Sequence, residues 1–197
     1  MPTRRTSYDI VPLTPARWPD LERLFGSRGA CGGCWCMWWR LPRAEFNAGK
    51  GAGNRRAFAA LVRAGREPGL LAYADGEPVG WCAVAPRGEY VRLARSRTLQ
   101  PLDDRPAWAV TCFFVAKEHR GRGLTVRLAR EAVRFARARG ARLVEGYPVD
   151  TGGAAQPAPF VYTGLPGTFR GAGFREAARR SRTRPIYRRA LRGGAGS

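Results

Sequence analysis

Val115-Ala-Lys-Glu-His-Arg120-Gly121-Arg122-Gly123-Leu124-Thr125 joins two segments of opposite character. Ahead of it, Trp108-Ala-Val-Thr-Cys-Phe-Phe-Val115 is a nearly continuous apolar run of strand-forming residues, as expected of a central strand buried on both faces. After it, Leu124, Leu128, Ala132 and Ala136 share one helical face with Ala129 and Val133 beside them, while Arg127, Arg130, Arg134 and Arg137 take the other. Gly140 ends that helix and residues 142–146 read as another strand. Strand, helix and strand in one sheet require a parallel pair with a right-handed crossover. The bend between the first two is chemically suggestive. Glycines let the backbone approach a ligand closely, and the amides and dipole of a helix's first turn favour a pyrophosphate. Arg120 and Arg122 can add charge-assisted bonds. The spacing is not that of a P-loop, and the first Gly of the dinucleotide fingerprint is missing.

Working outward, residues 8–12 read as a short strand. Thr14 offers a helix N-cap with Pro15 at the first helical position, Leu21, Leu24 and Phe25 keep helical spacing, and Gly26 ends the run; Pro19 is expected to kink or delay this helix. Residues 27–53 are rich in Gly and aromatics and follow no single period. A second helix is expected after Asn54, through Phe58, Leu61 and Val62 to Gly65. Residues 70–74 and 79–85 flank Asp75-Gly76 and predict a β-hairpin. Residues 90–106 form a polar connection, 147–159 a Pro/Gly-rich loop and 165–171 a short helix, with strands over 174–178 and 185–189. Residues 193–197 are expected to fray.

The chain has 197 residues, 35 Lys plus Arg against 15 Asp plus Glu, and a net charge of +20. That length supports one domain with its own core. No apolar run is long enough to span a membrane and the first ten residues lack the apolar segment of a secretory signal, so a cytoplasmic protein is expected. Lys50 and Lys117 are the only lysines, so 33 of the 35 cations are Arg. In a chain also rich in Ala, Gly and Pro this reads as a compositional bias and a solvated basic surface. The field still draws phosphate-bearing ligands inward. Five cysteines cannot all pair, and three lie in Cys31-Gly-Gly-Cys34-Trp-Cys36. A closed zinc site needs four ligands, and the single His, His119, lies in another motif, so no metal is expected and the thiols read as free.

The bend resembles the signature V-x-P-x-x-R-G-x-G of the GNAT superfamily of acetyl-CoA-dependent N-acetyltransferases. Val115, Arg120, Gly121 and Gly123 match; Lys117 replaces the usual Pro, and Thr125 a smaller residue. Phe169-Arg-Gly-Ala-Gly173-Phe174 is similar to the family's Y-x-x-x-G-F. The resemblance implies an α/β (α+β) fold, with a mixed, largely antiparallel central sheet flanked by helices in a single domain. That domain would cover residues 1–192, with 27–53 as an acceptor-side insertion and 193–197 as a tail. It also implies that backbone groups of Phe113 and Val115 face the pantetheine arm of acetyl-CoA, and that amides of Arg120, Gly121, Arg122, Gly123, Leu124 and Thr125 hold its pyrophosphate. Phe169 stands where many relatives have Tyr.

Direct attack of an amine on a thioester needs proximity, loss of the amine proton and an acid for the departing thiolate. Tyr162 and Tyr147 are the phenols near the expected position. Glu145 interrupts an apolar strand beside the cofactor strand and reads either as a buried base or as a structural ion pair with an arginine. His119, Glu118 and Glu89 read as turn residues. Trp35, Trp38, Trp39 and Arg40 read either as walls of an acceptor pocket or as core under a long loop. Cys112 reads as a buried, inert thiol. The acceptor implied is a primary amine on a small molecule, with a protein lysine or N-terminus as the alternative. A basic nucleic-acid-binding module is the non-enzymatic alternative, although residues 175–189 lack an aromatic ladder. A homodimer is left open.

Overall fold

The computed structural model describes residues 7–191, so the expected domain ends (1–6 and 192) and the 193–197 tail lie outside the described residues. Seven strands form one sheet in the order β1-β2-β3-β4-β5-β7-β6: β1 Asp9–Pro12, β2 Gly69–Ala74, β3 Glu77–Pro86, β4 Trp108–Val115, β5 Leu143–Gly146, β6 Arg175–Arg179 and β7 Pro185–Ala190. Only β4 and β5 run parallel, because α5 (Leu124–Ala138) crosses over between them. Every other neighbouring pair is antiparallel. The β2–β3 hairpin turns on Asp75 and Gly76, both at positive φ, as a two-residue loop between twisted strands requires.

Side-chain alternation divides the core. Leu70, Ala72, Cys82 and Val84 face Leu124, Leu128, Ala132 and Val133 of α5. Leu71, Trp81 and Ala83 face the opposite layer, built from α1 (Trp18–Phe25) and α3 (Ala52–Arg63) through Leu21, Phe25, Phe58 and Val62. A tight turn over Pro15–Arg17 precedes α1, the delay expected from Pro19. α3 starts two residues before Asn54. That side chain is fully buried and its amide donates to the carbonyls of Gly33 (3.1 Å) and Phe46 (3.3 Å), so Asn54 anchors the 27–53 segment rather than preceding the helix. Within the segment, α2 (Arg43–Ala48) buries Phe46. The 90–106 connection contains α4 (Val91–Ala94) and buries Tyr90, Leu93 and Leu99 against Tyr147 and Ile186. No described helix is long and apolar enough to cross a membrane.

Two irregularities position the site. The β3–β4 register shifts between Ala83, opposite Cys112, and Val84, opposite Val110, leaving Thr111 as the extra residue on β4. Such a bulge bends the strand that carries it. In addition, β4 and β5 pair at only three positions, ending at Val110–Gly146. A Cβ at Gly146 would lie 2.0 Å from the Phe169 ring, so α6 (Pro166–Gly171) seats that ring where β5 ends. The rest of β4 is free of β5.

Candidate active site

The bend after β4 takes the form its glycines allow. A short turn over Lys117–His119 leads to extended Arg120, then Gly121 at φ 71° and Gly123 at φ 75°, the latter capping α5. A Cβ at either glycine would meet nothing within 4 Å, so it is the left-handed backbone, not crowding, that demands glycine there. The space beside both is open. The amides of Val126 and Arg127 return to the Gly123 carbonyl (3.1 and 3.3 Å), while Leu124 and Thr125 begin the helix and have no residue one turn earlier to accept from them. Arg122 is exposed. Arg120 folds back, its Nε donating to the Val115 carbonyl at 2.9 Å.

From this bend a trough of about 430 Å³ runs along the unpaired part of β4. Phe113 and Val115 of β4, Arg120 and Thr125 of the bend and start of α5, and Leu165 and Thr168 of the α6 region line it. The hydroxyls of Thr125 and Thr168, both in its lining, lie 3.4 Å apart. Tyr162 lines it from the strap that follows β5 (residues 147–164), and Ala30 and Cys31 line it from the 27–53 segment. Of the expected cofactor residues, Phe113, Val115, Arg120 and Thr125 line the trough, while Gly121, Arg122, Gly123, Leu124 and Phe169 do not. Thr168 and Ala30 were not legible in advance. Thr168 carries only a weak signal, a hydroxyl in the first turn after Pro166, and Ala30 carries none.

Several expectations need correction. The Phe113 amide, expected to face pantetheine, already donates to the Tyr162 carbonyl at 2.6 Å, because the strap fills the gap left by β5. Leu124 turns its side chain into the core, so only its amide faces the bend. Phe169 does not reach the trough's lining; it is fully buried against Phe113, Phe174 and Tyr187. Glu145 pairs in register with Ala109, before the strands part. Its carboxylate accepts from Arg87 (3.0 Å), Arg188 (2.7 Å) and the Tyr147 hydroxyl (2.6 Å), which makes it the structural ion pair rather than an available base. Trp35 is a core residue, stacked on Trp18 and tilted against Phe25. Trp38 packs edge-on against Phe46, and Trp39 joins the Tyr90 cluster. Arg40 is buried, donating to Glu89 at 2.6 Å beneath the Tyr90 ring. Of the segment expected to frame the acceptor pocket, only Ala30 and Cys31 line the trough.

The loop that supplies those two residues is strained. Ala30 (φ 66°), Trp35 (φ 43°) and Cys36 (φ 55°) occupy the left-handed region that side chains avoid. Packing holds them there: the Trp35 ring covers Gly29 so closely that a Cβ on Gly29 would lie 2.3 Å from it, and Trp81 Nε1 donates to the Cys36 sulfur at 3.0 Å. Burial pushes the Cys34 thiol up to about 11, with the neighbouring Cys36 reinforcing the shift, and Cys112 is raised by the Cys36 thiol and by burial. These thiols are protonated near neutral pH. Among the described residues no group of His, Cys, Asp and Glu is arranged to hold a metal ion.

The chain resembles solved acetyltransferases throughout its length. An acetyltransferase of the GNAT family from Streptococcus agalactiae is 13% identical, covers 94% of this chain and 96% of its own, and superposes with a TM-score of 0.56. The PaiA N-acetyltransferase from Thermoplasma acidophilum, solved with coenzyme A, is 12% identical over 94% of this chain and 99% of its own, at 0.51. A ribosomal-protein-alanine N-acetyltransferase from Brucella melitensis is 19% identical over 93% and 99%, at 0.52. At these identities the likeness establishes the fold. No curated protein matches the sequence. The profile of the acetyltransferase (GNAT) family matches residues 35–153, more than half of the chain. That match shows that the chain belongs to the GNAT acetyltransferase family.

Proposed function

We propose that this acetyltransferase carries an acetyl group from acetyl-CoA to a primary amine of a small molecule by direct attack on the thioester. The observation that carries the reading is the trough itself, which joins an anion-binding helix start to the only stretch of β4 that β5 leaves unpaired. The residues present fit the coenzyme. Amides from Arg120 to Thr125 would hold the pyrophosphate, aided by Arg122, and the open space beside Gly121 and Gly123 admits it. The pantetheine arm would lie along Phe113 and Val115, with the Phe113 amide exchanging the Tyr162 carbonyl for a ligand carbonyl. Bound there, the coenzyme supplies an activated acyl group.

The chain's own groups then divide the remaining tasks. Burial pushes the Tyr162 phenol well above its ordinary value, partly offset by Arg184 and Arg92, so it stays protonated near neutral pH. In this reading its hydroxyl donates a hydrogen bond to the departing sulfur, supported by its place in the trough lining. Among the described residues lining the trough there is no carboxylate and no histidine. The amine therefore has to arrive neutral, and its proton passes to water. Ala30 and Cys31 from one segment and residues 158–162 from another line the trough together, and its volume of about 430 Å³ suits a compact acceptor better than a folded protein surface. Incubation with acetyl-CoA and a panel of amines and peptides, read by thiol release, should show turnover of small primary amines. Turnover confined to peptides, or thiol release that no amine accelerates, would refute the reading.

A further inference from the structure

The five cysteines differ in what each can reach. Cys82 is fully buried and packs toward α5, Cys112 lies on β4, and Cys36 is buried against Trp81, whose indole donates to its sulfur at 3.0 Å. Cys31 alone is exposed, and it lines the trough. Half-buried Cys34 stands next to it. The Cys34 amide donates to the Cys31 carbonyl at 3.0 Å, closing a four-residue turn over Gly32 (φ 54°) and Gly33 (φ 75°). Such a turn holds its end α-carbons within about 7 Å, and a disulfide bridges α-carbons about 4.4–6.8 Å apart.

The two ends of the turn are not equally held. On the Cys34 side, the Gly33 carbonyl accepts from the Gly51 amide (3.0 Å) and the Asn54 side chain (3.1 Å), and a Cβ on Gly33 would lie 2.5 Å from the Gly51 nitrogen. Trp35, the next residue, is locked in the core. The Cys34 sulfur donates to the Gly29 carbonyl at 3.4 Å, yet that oxygen also receives the Trp35 amide (3.4 Å) and keeps a partner if the sulfur turns away. Among the described residues no hydrogen bond holds the Cys31 sulfur, and its neighbour Ala30 is the strained residue at φ 66°. A bond between the two sulfurs therefore draws Cys31 toward Cys34. Part of the trough lining moves with it.

We propose that Cys31 and Cys34 are a thiol–disulfide exchange site for a small disulfide, and that closure of the pair opposes binding of a ligand in the trough. The Cys31 thiolate attacks one sulfur of the disulfide and expels the first thiolate. The Cys34 thiolate then attacks the Cys31 sulfur of the mixed disulfide and expels the second. The two protons lost by the protein end on the two released thiols, so two thiols and one disulfide give one disulfide and two thiols. Exposure makes Cys31 the attacking group. Burial keeps Cys34 protonated near neutral pH, which makes it the slower, resolving partner. The exchange itself does not depend on the acetyl-transfer reading; the choice of acetyl-CoA as the opposing ligand rests on it.

Oxidised glutathione is the probe, followed by denaturation, alkylation of the remaining thiols and tryptic mapping. Cleavage after Arg28 and Arg40 releases residues 29–40 with Cys31, Cys34 and Cys36 on one peptide. That peptide should lose two hydrogens and carry the alkyl label on Cys36 alone, and dithiothreitol should reverse the change. Cys34→Ser should stop at a glutathione adduct on Cys31; if that variant does not fold, fragment ions of the unsubstituted peptide assign the pair. In calorimetry the closed form should bind acetyl-CoA about threefold or more weakly, and saturating acetyl-CoA should favour the dithiol by the same factor in a glutathione redox titration. No closure, a disulfide to Cys36, or closure that leaves acetyl-CoA affinity unchanged overturns the proposal. Failure of the reduced protein to bind acetyl-CoA overturns the acetyl-transfer reading and the opposition between ligand and disulfide, while the peptide still decides the exchange pair.

Discussion

Two loops border the same trough and reach similar backbone shapes by opposite means. The bend over residues 120–124 places glycine at both of its left-handed positions, leaves the space beside them open and stays exposed. The loop over residues 29–36 also uses left-handed conformations, but several fall on Ala30, Trp35 and Cys36, and it is held by Trp35 stacked into the core and by Asn54 bonded beneath it. The first shape is written in local residue preferences. The second is imposed from outside, and each such non-glycine residue costs on the order of 1–2 kcal/mol that packing has to offset. A ligand-binding backbone can therefore be prepared by residues that want the conformation or by a core that enforces it.

The contrast makes predictions that scale with what each loop depends on. Trp35→Ala should have the largest effect, a loss of about 3–5 kcal/mol in urea unfolding, because it empties a buried aromatic site and releases the strain-bearing loop. A loss under about 1 kcal/mol would mean that something other than this ring holds the loop. Gly123→Val should come next. It forces a β-branched residue into the left-handed region, costs on the order of 1–2 kcal/mol of stability, and lowers acetyl-CoA affinity about tenfold or more by moving the first-turn amides. Affinity measured by calorimetry on the folded variant and found unchanged would detach the pyrophosphate from this bend. The smallest effect is the most discriminating. Ala30→Gly should stabilise the protein by about 0.5–1 kcal/mol, the relieved strain less the entropy of glycine, raising the thermal midpoint by about 2 °C in a chain of this size. A lower midpoint would show that Ala30 is not strained in solution.

Where local preference decided, the sequence could be read closely. The β2–β3 hairpin with its Asp75-Gly76 turn, the apolar face of α5 and the parallel pair on either side of it behave as expected, since each is a property of a few adjacent residues. Reading failed where a residue's role depends on a distant partner. Glu145 is equally compatible with a buried base and an ion pair until Arg87 and Arg188 arrive from other strands and connections. The aromatic cluster at Trp35, Trp38 and Trp39 has the composition of a pocket wall, yet each ring finds a separate packing partner. Nor does any local signal show that the Tyr162 carbonyl would take the Phe113 amide, a contact spanning the gap between two strands.

By itself the sequence determined the order of strands and helices, the parallel pair around α5 and the glycine-containing turn before it, because hydrophobic period and glycine placement act within a few residues. Only the tertiary structure decided where β4 and β5 part, which tyrosine lines the trough beside the opening and which arginines meet Glu145. Those outcomes depend on competition among groups far apart in the chain for one another's hydrogen bonds and charge, and that competition is resolved only when the layers close.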